Sequence, residues 1–274
     1  MNMTVPTVTV TIPVFNCENF ITHAIDSVLN QSFNDYELII IDNCSTDGTV
    51  SKVRQYKDSR IRFVVNDDNI GAERNWNKAL GMANGRYFKL LCADDVLYSN
   101  CLEEQVAIFD NTKNRDISMV SCKRAIINEI GQIKMIRGFP FTKGNVDGKS
   151  AIRRCVKWGT NLIGESGSVL LRKTDIERVG LFNASIPYLI DLDYWSRVLL
   201  LGNLYYINKP LCAFRVSKNS WSANIGKKQS IQMSTFIDKL DRTSKYGIGS
   251  FDKICGKLMS GLNAFLRNLF FRLF

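Results

Sequence analysis

The segment Tyr36-Glu37-Leu38-Ile39-Ile40-Ile41 is the feature that most constrains the fold of this chain. It is a short, nearly continuous run of large apolar residues, and Asp42 ends it. Such a run is typical of a strand in a sheet whose two faces are both covered. Sheets of that kind are mostly parallel, because crossover connections place helices above and below them. The segment therefore predicts a layered fold with helices on both sides of a sheet.

Strand and helix patterns alternate through the first 115 residues. Strands are indicated by β-branched or apolar runs, and helices by apolar residues spaced three and four apart. The predicted strands are 7–12, 36–41, 60–65 and 86–91, and the predicted helices are 18–31, 46–56 and 71–84. This alternation predicts an α/β fold with a mainly parallel, Rossmann-like central sheet flanked by helices. Farther along the chain, the predictions are a hairpin of 118–127 with 132–137 and helices at 148–158 and 191–201.

Two adjacent acids, Asp94 and Asp95, follow the fourth predicted strand. Adjacent carboxylates repel each other, and burial increases that cost. A hard divalent cation that also holds a phosphate would offset it, since Mg²⁺ is commonly bound by one or two carboxylates plus substrate phosphates. A pair of helix N-cap residues before Leu102 is the alternative. The pair thus predicts a metal and a phosphate-bearing ligand at the carboxyl ends of the strands, where such sheets bind ligands.

Other strand and helix ends carry candidate binding residues. Asp42 could accept the imide N–H of a pyrimidine, and Phe15, after the first strand, could stack on the same ring. Asp42 could instead be the turn or capping residue of the segment that begins at Ser45. Arg74 could approach a phosphate at the start of its helix, or it could be a solvated charge.

Asp191 and Asp193 lie in an apolar stretch that is predicted to be helical. An acid among apolar residues can have a raised pKa, which suits a general base. Acids in the first turn of a helix are also favoured by the helix dipole, so a purely structural role stays open. The only histidine, His23, falls inside a helix pattern. Proton transfer in this chain is therefore expected to depend on carboxylates.

The net charge of +10 is concentrated near the C-terminus. Residues 205–274 contain 12 basic and 3 acidic residues, against 24 and 23 in residues 1–204. A basic region attracts polyanions, but the near-neutral body argues against nucleic acid as a partner. Residues 251–274 predict an amphipathic helix whose apolar face contains Cys255, Leu258, Leu262, Phe265, Leu266, Leu269 and Leu273. This face predicts either a helix on an anionic membrane surface or a contact with the body or with a second subunit in a homo-oligomer.

The eight cysteines are scattered and include no C-x-x-C pair. This spacing argues against a zinc site and against a disulfide framework, so free thiols are expected. No signal peptide is visible, and no run of apolar residues is long enough to span a membrane. We expect a cytoplasmic protein that is peripheral on the inner face of the cytoplasmic membrane.

Five short motifs occur in an order that resembles family 2 glycosyltransferases of the GT-A fold. They are Ile12-Pro13-Val14-Phe15-Asn16, Asp42-Asn43-Cys44-Ser45-Thr46-Asp47-Gly48-Thr49, Asn69-Ile70-Gly71 with Arg74-Asn75, Ala83-Asn84-Gly85, and Ala93-Asp94-Asp95. A later segment, Ile190-Asp191-Leu192-Asp193-Tyr194-Trp195-Ser196-Arg197, looks like the helix that carries the catalytic base of the family. The resemblance covers roughly residues 6–215.

The resemblance implies transfer of a sugar from a nucleotide diphosphate sugar to an acceptor, with inversion of the anomeric centre. It implies a donor site made by Pro13, Phe15, Asn16, Asp42, Arg74 and Asp94. Within that site, Pro13 and Phe15 line the nucleobase and Asp42 binds the imide of uracil or thymine. Asp95 is implied to bind Mg²⁺ or Mn²⁺. The expected donor is therefore a UDP- or dTDP-sugar.

The acceptor side is implied by the later motifs. Asp191 matches the catalytic base, and Glu165 and Trp195 are expected near the acceptor, although Glu165 could be an ordinary loop acid. The acceptor expected from the resemblance is a sugar hydroxyl of a lipid-linked or oligosaccharide intermediate in polysaccharide or O-antigen assembly. The expected division is a catalytic domain at 1–220, with a nucleotide-binding half at 1–115 and an acceptor half at 116–220. A C-terminal helical extension at 221–274 follows it.

Two departures from the family pattern concern the metal and the diphosphate. Cys92 occupies a position that is often Asp, and residues 216–222 contain none of the histidines that many members have there. The competing interpretation is a nucleotidyltransferase on a similar sheet. Such an enzyme would need a Gly-rich loop with a basic residue after the first strand, and this chain has Pro13-Val14-Phe15-Asn16-Cys17 instead.

Overall fold

The computed structural model describes residues 5–217 and 228–272. Within these ranges the chain forms ten strands and nine α-helices. The strands are β1 Val8–Val14, β2 Tyr36–Asp42, β3 Ile61–Val65, β4 Tyr87–Leu90, β5 Val96–Leu97, β6 Ile117–Ile127, β7 Ile133–Arg137, β8 Gly144–Val146, β9 Leu170–Arg172 and β10 Asn203–Arg215. The helices are α1 Ile21–Leu29, α2 Thr49–Val53, α3 Ala72–Met82, α4 Cys101–Asp110, α5 Gly148–Trp158, α6 Lys173–Val179, α7 Ile190–Val198, α8 Lys228–Thr243 and α9 Ser250–Arg272.

The strands form one sheet in the order β3-β2-β1-β4-β9-β6-β10-β5, with β7 paired to β6 and β8 paired to β10. The strands β3, β2, β1 and β4 are mutually parallel, and β6 is parallel to β10. The short strand β9 joins these two parallel groups by antiparallel pairing. The predicted α/β fold, with a mostly parallel sheet between helices, is confirmed.

The burial of β2 explains its composition. Leu38, Ile39, Ile40 and Ile41 are all fully buried. Successive side chains of a strand point to opposite faces of the sheet. Leu38 and Ile40 pack in the cluster that includes α1, whereas Ile39 and Ile41 pack against Ala79 of α3. The strand is thus covered on both faces, as its continuous apolar run predicts.

The structure corrects one alternative for the acidic pair. Asp94 and Asp95 lie in the turn between β4 and β5, and the next helix, α4, begins only at Cys101. The two acids are therefore not N-cap residues of that helix. The hairpin predicted for 118–127 and 132–137 is present as β6 and β7.

The C-terminal helices pack on the half of the molecule that contains α5 and α7. Met233, Phe236 and Ile237 of α8 belong to the same buried cluster as Trp195 of α7. The helix α9 contacts α5 through a face of small residues, where Gly256, Ser260 and Ala264 are buried.

The predicted apolar face of the last helix points outward. The described leucines and phenylalanine of this face are all exposed, namely Leu258, Leu262, Phe265, Leu266 and Leu269. Phe251 and Ile254 extend the same exposed surface. Leu273 lies outside the described residues. The apolar face therefore does not pack on the body of the described structure, because the small residues of the opposite face allow a closer approach to α5.

Two glycines of α9 provide a matched test of this packing. A Cβ atom at Gly256 would lie 2.3 Å from the carbonyl oxygen of Val156, whereas a Cβ atom at Gly261 would meet nothing within 4 Å. We expect Gly256→Ala to lower the free energy of unfolding by about 1–3 kcal/mol, because backbone must move. Gly261→Ala should raise it by up to about 1 kcal/mol through helix propensity. Urea unfolding of both variants measures the difference, and equal effects would contradict this packing of α9.

Candidate active site

The carboxyl ends of β1, β2 and β4 lie side by side at one edge of the sheet. Phe15, Asp42 and Asp94 therefore occur along the same edge, and the Phe15 ring is 46% exposed. The amide of Asn16 donates to Ser45 Oγ at 2.9 Å, and Asn16 Oδ1 accepts from the amide of Thr46 at 2.8 Å. The Asn16 side chain thus fixes the first loop to the second and leaves the Phe15 ring projecting from the edge.

Asp42 makes the turn contact that the sequence left open and has a second carboxylate oxygen without a partner in the described structure. Its Oδ2 atom accepts from the amide of Ser45 at 2.8 Å, which is a turn-forming contact. Its Oδ1 atom is buried and makes no hydrogen bond to the described residues. A buried acceptor without a partner costs about 1–3 kcal/mol. This carboxylate oxygen is therefore suited to receive a donor from a ligand.

Two other predicted donor residues differ in exposure. Pro13 is buried inside β1, opposite Ile41, so it shapes the strand end. Arg74 is exposed in the first turn of α3 and is not among the residues that line the cavity described below.

A group of buried asparagines supports the loops at these strand ends; Asn43 and Asn75 lie in the motifs above, whereas sequence reasoning missed Asn66. Asn43 Oδ1 accepts from Asn66 Nδ2 and from the amide of Ile70, both at 3.0 Å. Asn75 Nδ2 donates to the carbonyl of Ile41 at 3.1 Å, and its Oδ1 atom accepts from Asn66. These bonds connect the ends of β2 and β3 to the start of α3.

A cavity of about 220 Å³ opens beside this edge. Three of the ten predicted site residues line it, namely Asp94, Glu165 and Asp191. The opposite wall comes from α8 and α9, through Gln229, Met233, Ser260 and Arg267. The C-terminal helices therefore help to build the cavity.

Asp94 and Asp95 are held by Arg215 at the end of β10. The amide of Arg215 donates to Asp95 Oδ1 at 2.9 Å, and its Nε atom donates to the carbonyl of Asp94 at 2.8 Å. Burial raises the pKa of Asp95 well above its ordinary value, and the charge of Asp94 raises it further. Burial also raises the pKa of Asp94. Neither carboxylate forms an ion pair with a side chain of the described ranges.

Asp191, the predicted base, is a carboxylate with a raised pKa at the cavity. It lines the cavity, and its Oδ2 atom accepts from Asn161 Nδ2 at 3.0 Å. Burial raises the pKa of Asp191 to about 7, and the charge of Glu165 contributes to the increase. A carboxylate with a pKa near the working pH can both take up and release a proton.

Asp193 faces away from the cavity and is structural. It is buried, and it is paired with Arg197 at 3.1 Å and with Lys239 at 2.6 Å. The pair with Lys239 connects α7 to α8, and the pair with Arg197 lies within α7. The lone histidine, His23, is exposed on α1 and does not line the cavity.

Glu165 lies at the floor of the cavity, and Trp195 lies in the layer beneath it. Glu165 is ion-paired with buried Arg124, and that charge holds the pKa of Glu165 below its usual value despite burial. Trp195 is only 1% exposed and donates from Nε1 to the carbonyl of Gly164 at 3.1 Å. Trp195 therefore positions the loop that carries Glu165 and does not itself reach the cavity.

Comparisons with known proteins agree with this geometry. A family model described as glycosyl transferase family 2 matches residues 9–178, which is more than half of the chain. The chain belongs to glycosyl transferase family 2. A relative in Escherichia coli, the UDP-Glc:alpha-D-GlcNAc-diphosphoundecaprenol beta-1,3-glucosyltransferase WfgD, is 30% identical over 235 residues, covering 84% of this chain and 85% of WfgD.

Two solved structures share the fold of this family 2 member. Staphylococcus aureus TarS 1-349 in complex with UDP-GlcNAc has a TM-score of 0.68 at 18% identity, over 94% of this chain and 72% of that one. The mannosyltransferase PcManGT of Pyrobaculum calidifontis, in complex with GDP-Man and Mn²⁺, has a TM-score of 0.62 at 18% identity, over 94% and 74%. The chain spans only 64% and 40% of the length of two other curated relatives.

The acidic turn of this family 2 member fits a divalent cation. Ligand atoms of Cys92, Asp94 and Asp95 lie within 4.8 Å of one another. Asp95 is buried and Asp94 is partly buried, and neither has an ion-pair partner in the described structure. Such carboxylates are the hard oxygen ligands that Mg²⁺ and Mn²⁺ accept. Residues 218–222, part of the segment without histidines, lie outside the described residues.

Sequence reasoning missed most of the cationic residues of the site. Arg124 comes from β6, Arg137 from β7 and Arg267 from α9, and all three line the cavity. None lies in a motif, so only the folded structure brings them together. All eight cysteines are free, as expected.

Proposed function

We propose that this family 2 member is an inverting glycosyltransferase that uses a UDP- or dTDP-sugar and a lipid-linked acceptor. The observation that carries the proposal is Asp191, a carboxylate with a pKa of about 7 in the same cavity as Asp94. The names of WfgD and of the TarS complex support a uridine nucleotide donor. The name of WfgD also supports an acceptor sugar carried on a lipid diphosphate.

In this mechanism Asp191 takes the proton of the acceptor hydroxyl. The hydroxyl oxygen then attacks the anomeric carbon of the donor as the bond from that carbon to the diphosphate oxygen breaks. A sugar hydroxyl is too weak an acid to react alone near neutral pH, so a positioned base is needed. A single displacement of this kind inverts the anomeric centre and requires no protein nucleophile.

The donor would lie along the strand ends. Phe15 would stack on the nucleobase, and Asp42 Oδ1 would accept the imide N–H of uracil or thymine, which would satisfy that buried oxygen. Asp94 and Asp95 would hold Mg²⁺ or Mn²⁺, which supplies positive charge to the departing diphosphate. Burial raises the pKa of Cys92 well above its ordinary value, so its thiol stays protonated and is a poor ligand for a hard cation.

The base assignment predicts different defects for two neighbouring acids. Asp191→Asn should lower kcat by about 10²-fold or more with little loss of stability, because it removes the proton acceptor. Asp193→Asn should lower the free energy of unfolding by about 2–3 kcal/mol, because it breaks buried ion pairs.

Wild-type turnover should fall as the pH drops below about 7, where Asp191 becomes protonated. Steady-state kinetics and urea unfolding test this, and full activity of Asp191→Asn would contradict the assignment.

We also propose that the outward face of α9 lies on an anionic bilayer. Phe251, Leu258 and Phe265 project from this face, and exposed Trp158 stands at the adjoining end of α5. The ammonium group of Lys157 lies 5.3 Å from the Phe251 ring centre. Aromatic and aliphatic residues beside basic residues are typical of interfacial helices. Among the described residues, no helix is long and apolar enough to cross a membrane.

This surface predicts loss of membrane binding by a double variant. Leu258→Ser with Phe265→Ser should reduce sedimentation with vesicles containing phosphatidylglycerol by at least about tenfold, since each buried side chain contributes about 1.5–3 kcal/mol. Leu181→Ser, at an equally exposed leucine outside α9, is the control. Unchanged sedimentation of the double variant would contradict the membrane proposal. A wild-type dimer that the double variant disrupts, without vesicle binding, would identify the face as a subunit contact.

A further inference from the structure

The cavity is lined by two groups of opposite charge. The acidic group is Asp94 with the neighbouring buried Asp95, and Arg215 is their neighbouring cation. The arginine group is Arg124, Arg137 and Arg267. Only the first of these has a carboxylate partner among the described residues, because Arg124 is paired with Glu165.

The other two arginines form no ion pair with a carboxylate of the described residues. Arg267 donates to Gln229 Oε1, and its guanidinium lies 5.4 Å from the ring centre of Tyr188. Both of those partners are neutral. Arg137, at the end of β7, forms no ion pair with any side chain in the ranges 5–217 and 228–272. Two positive charges of the arginine group are therefore without an ion pair, and the nearby Glu165 is already paired with Arg124.

These charges repel one another at short range. Burial lowers the pKa of Arg267 to about 10, and the charges of Arg137 and Arg124 lower it further. Burial likewise lowers the pKa of Arg137, and the charge of Arg124 adds to that effect. All three guanidinium groups remain protonated at neutral pH. Bringing like charges together in a partly buried place is costly, and a bound anion would remove the cost.

Glu165 links the arginine group to the proposed base. It interacts electrostatically with Arg137, Arg267 and Asp191, and also with Asp95. The charges that act on Arg137 and Arg267 come from Arg124, from Glu165 and from the arginines themselves, and Asp94 and Asp95 are not among them. In a single displacement the base stands opposite the leaving group, so the donor diphosphate belongs with the acidic turn. An anion bound by the arginines then belongs to the acceptor.

We propose that Arg137 and Arg267 bind a phosphate or diphosphate group of the acceptor, beside the sugar whose hydroxyl Asp191 deprotonates. The proposal rests on the function proposed above and extends it to the chemistry of the acceptor. Guanidinium groups bind phosphate through paired, charge-assisted hydrogen bonds. Arg267 belongs to α9, whose outward face is apolar, so a lipid attached to the same diphosphate could follow this helix to its outer surface.

The probe for this subsite is geranyl diphosphate, with geraniol as the matched uncharged compound. Binding is measured by calorimetry in buffer with EDTA, so that no cation holds the diphosphate at the acidic turn. The wild-type chain should bind geranyl diphosphate and not geraniol. Arg137→Gln and Arg267→Gln should each weaken binding by about tenfold or more, since each removes a charge-assisted contact. Arg137→Lys and Arg267→Lys should keep most of the affinity because the charge remains.

Two controls separate the possible sources of the anion. Arg62→Gln removes an exposed arginine of β3 that does not line the cavity, and it should leave binding unchanged. Binding of UDP with Mn²⁺ should also stay within about threefold in both glutamine variants, which corresponds to less than about 0.7 kcal/mol. If UDP binding falls as much as geranyl diphosphate binding, the arginines hold the donor diphosphate and the proposal is wrong.

The remaining outcomes are equally clear. Unchanged affinity for geranyl diphosphate in both glutamine variants would overturn the subsite, and equal binding of geraniol would show that the contact is apolar. The two substitutions lie on different elements, so loss of folding in one, detected by circular dichroism, leaves the other as the test. Failure of the wild-type chain to bind UDP with Mn²⁺ would contradict the proposed donor chemistry, which is a separate result.

Discussion

The site depends on how Arg215 holds two adjacent acids at the end of a buried strand. Its amide and Nε atom contact Asp95 and Asp94, and its Nη1 atom donates to the carbonyl groups of Asn128 and Glu129. Its guanidinium also lies 4.8 Å from the ring centre of Phe20. One residue at the end of β10 thus connects the acidic turn, the hairpin of β6 and β7, and the region before α1. Holding two carboxylates together in this turn is costly, and a bound divalent cation would remove that cost.

The other charged residues in and around the cavity differ in whether their buried charge is balanced by a partner. Asp193 is neutralised by Arg197 and Lys239, so it is part of the framework. Among the described residues, Asp191 accepts hydrogen bonds from the amide of Asn161 and from a backbone N–H, and burial raises its pKa. Two carboxylates in one helix therefore acquire different properties from their surroundings. The same reasoning separates the paired Arg124 from the arginines that we propose bind the acceptor.

The sequence predicted those parts of the molecule that depend on local patterns. The alternation of strands and helices, and the acids at the ends of strands, can be recognised within windows of ten or twenty residues. The grouping of Arg124 with Arg267 could not be predicted, because only tertiary packing joins residues so far apart in the chain. The orientation of α9 was also inaccessible, since Leu258 and Gly256 belong to opposite faces of one helix. Burying the glycine face is favoured by its close approach to α5, a distance that no sequence pattern encodes.

The most direct test of the acidic turn as a metal site is calorimetric binding of UDP, with and without Mn²⁺, to the wild-type chain and to Asp95→Asn. The account predicts that Mn²⁺ strengthens UDP binding by about tenfold or more in the wild type, because the cation joins the acidic turn to the diphosphate. It also predicts that Asp95→Asn removes this dependence while leaving the free energy of unfolding close to the wild-type value. Equal Mn²⁺ dependence in both proteins, or tight UDP binding without metal, would contradict the account.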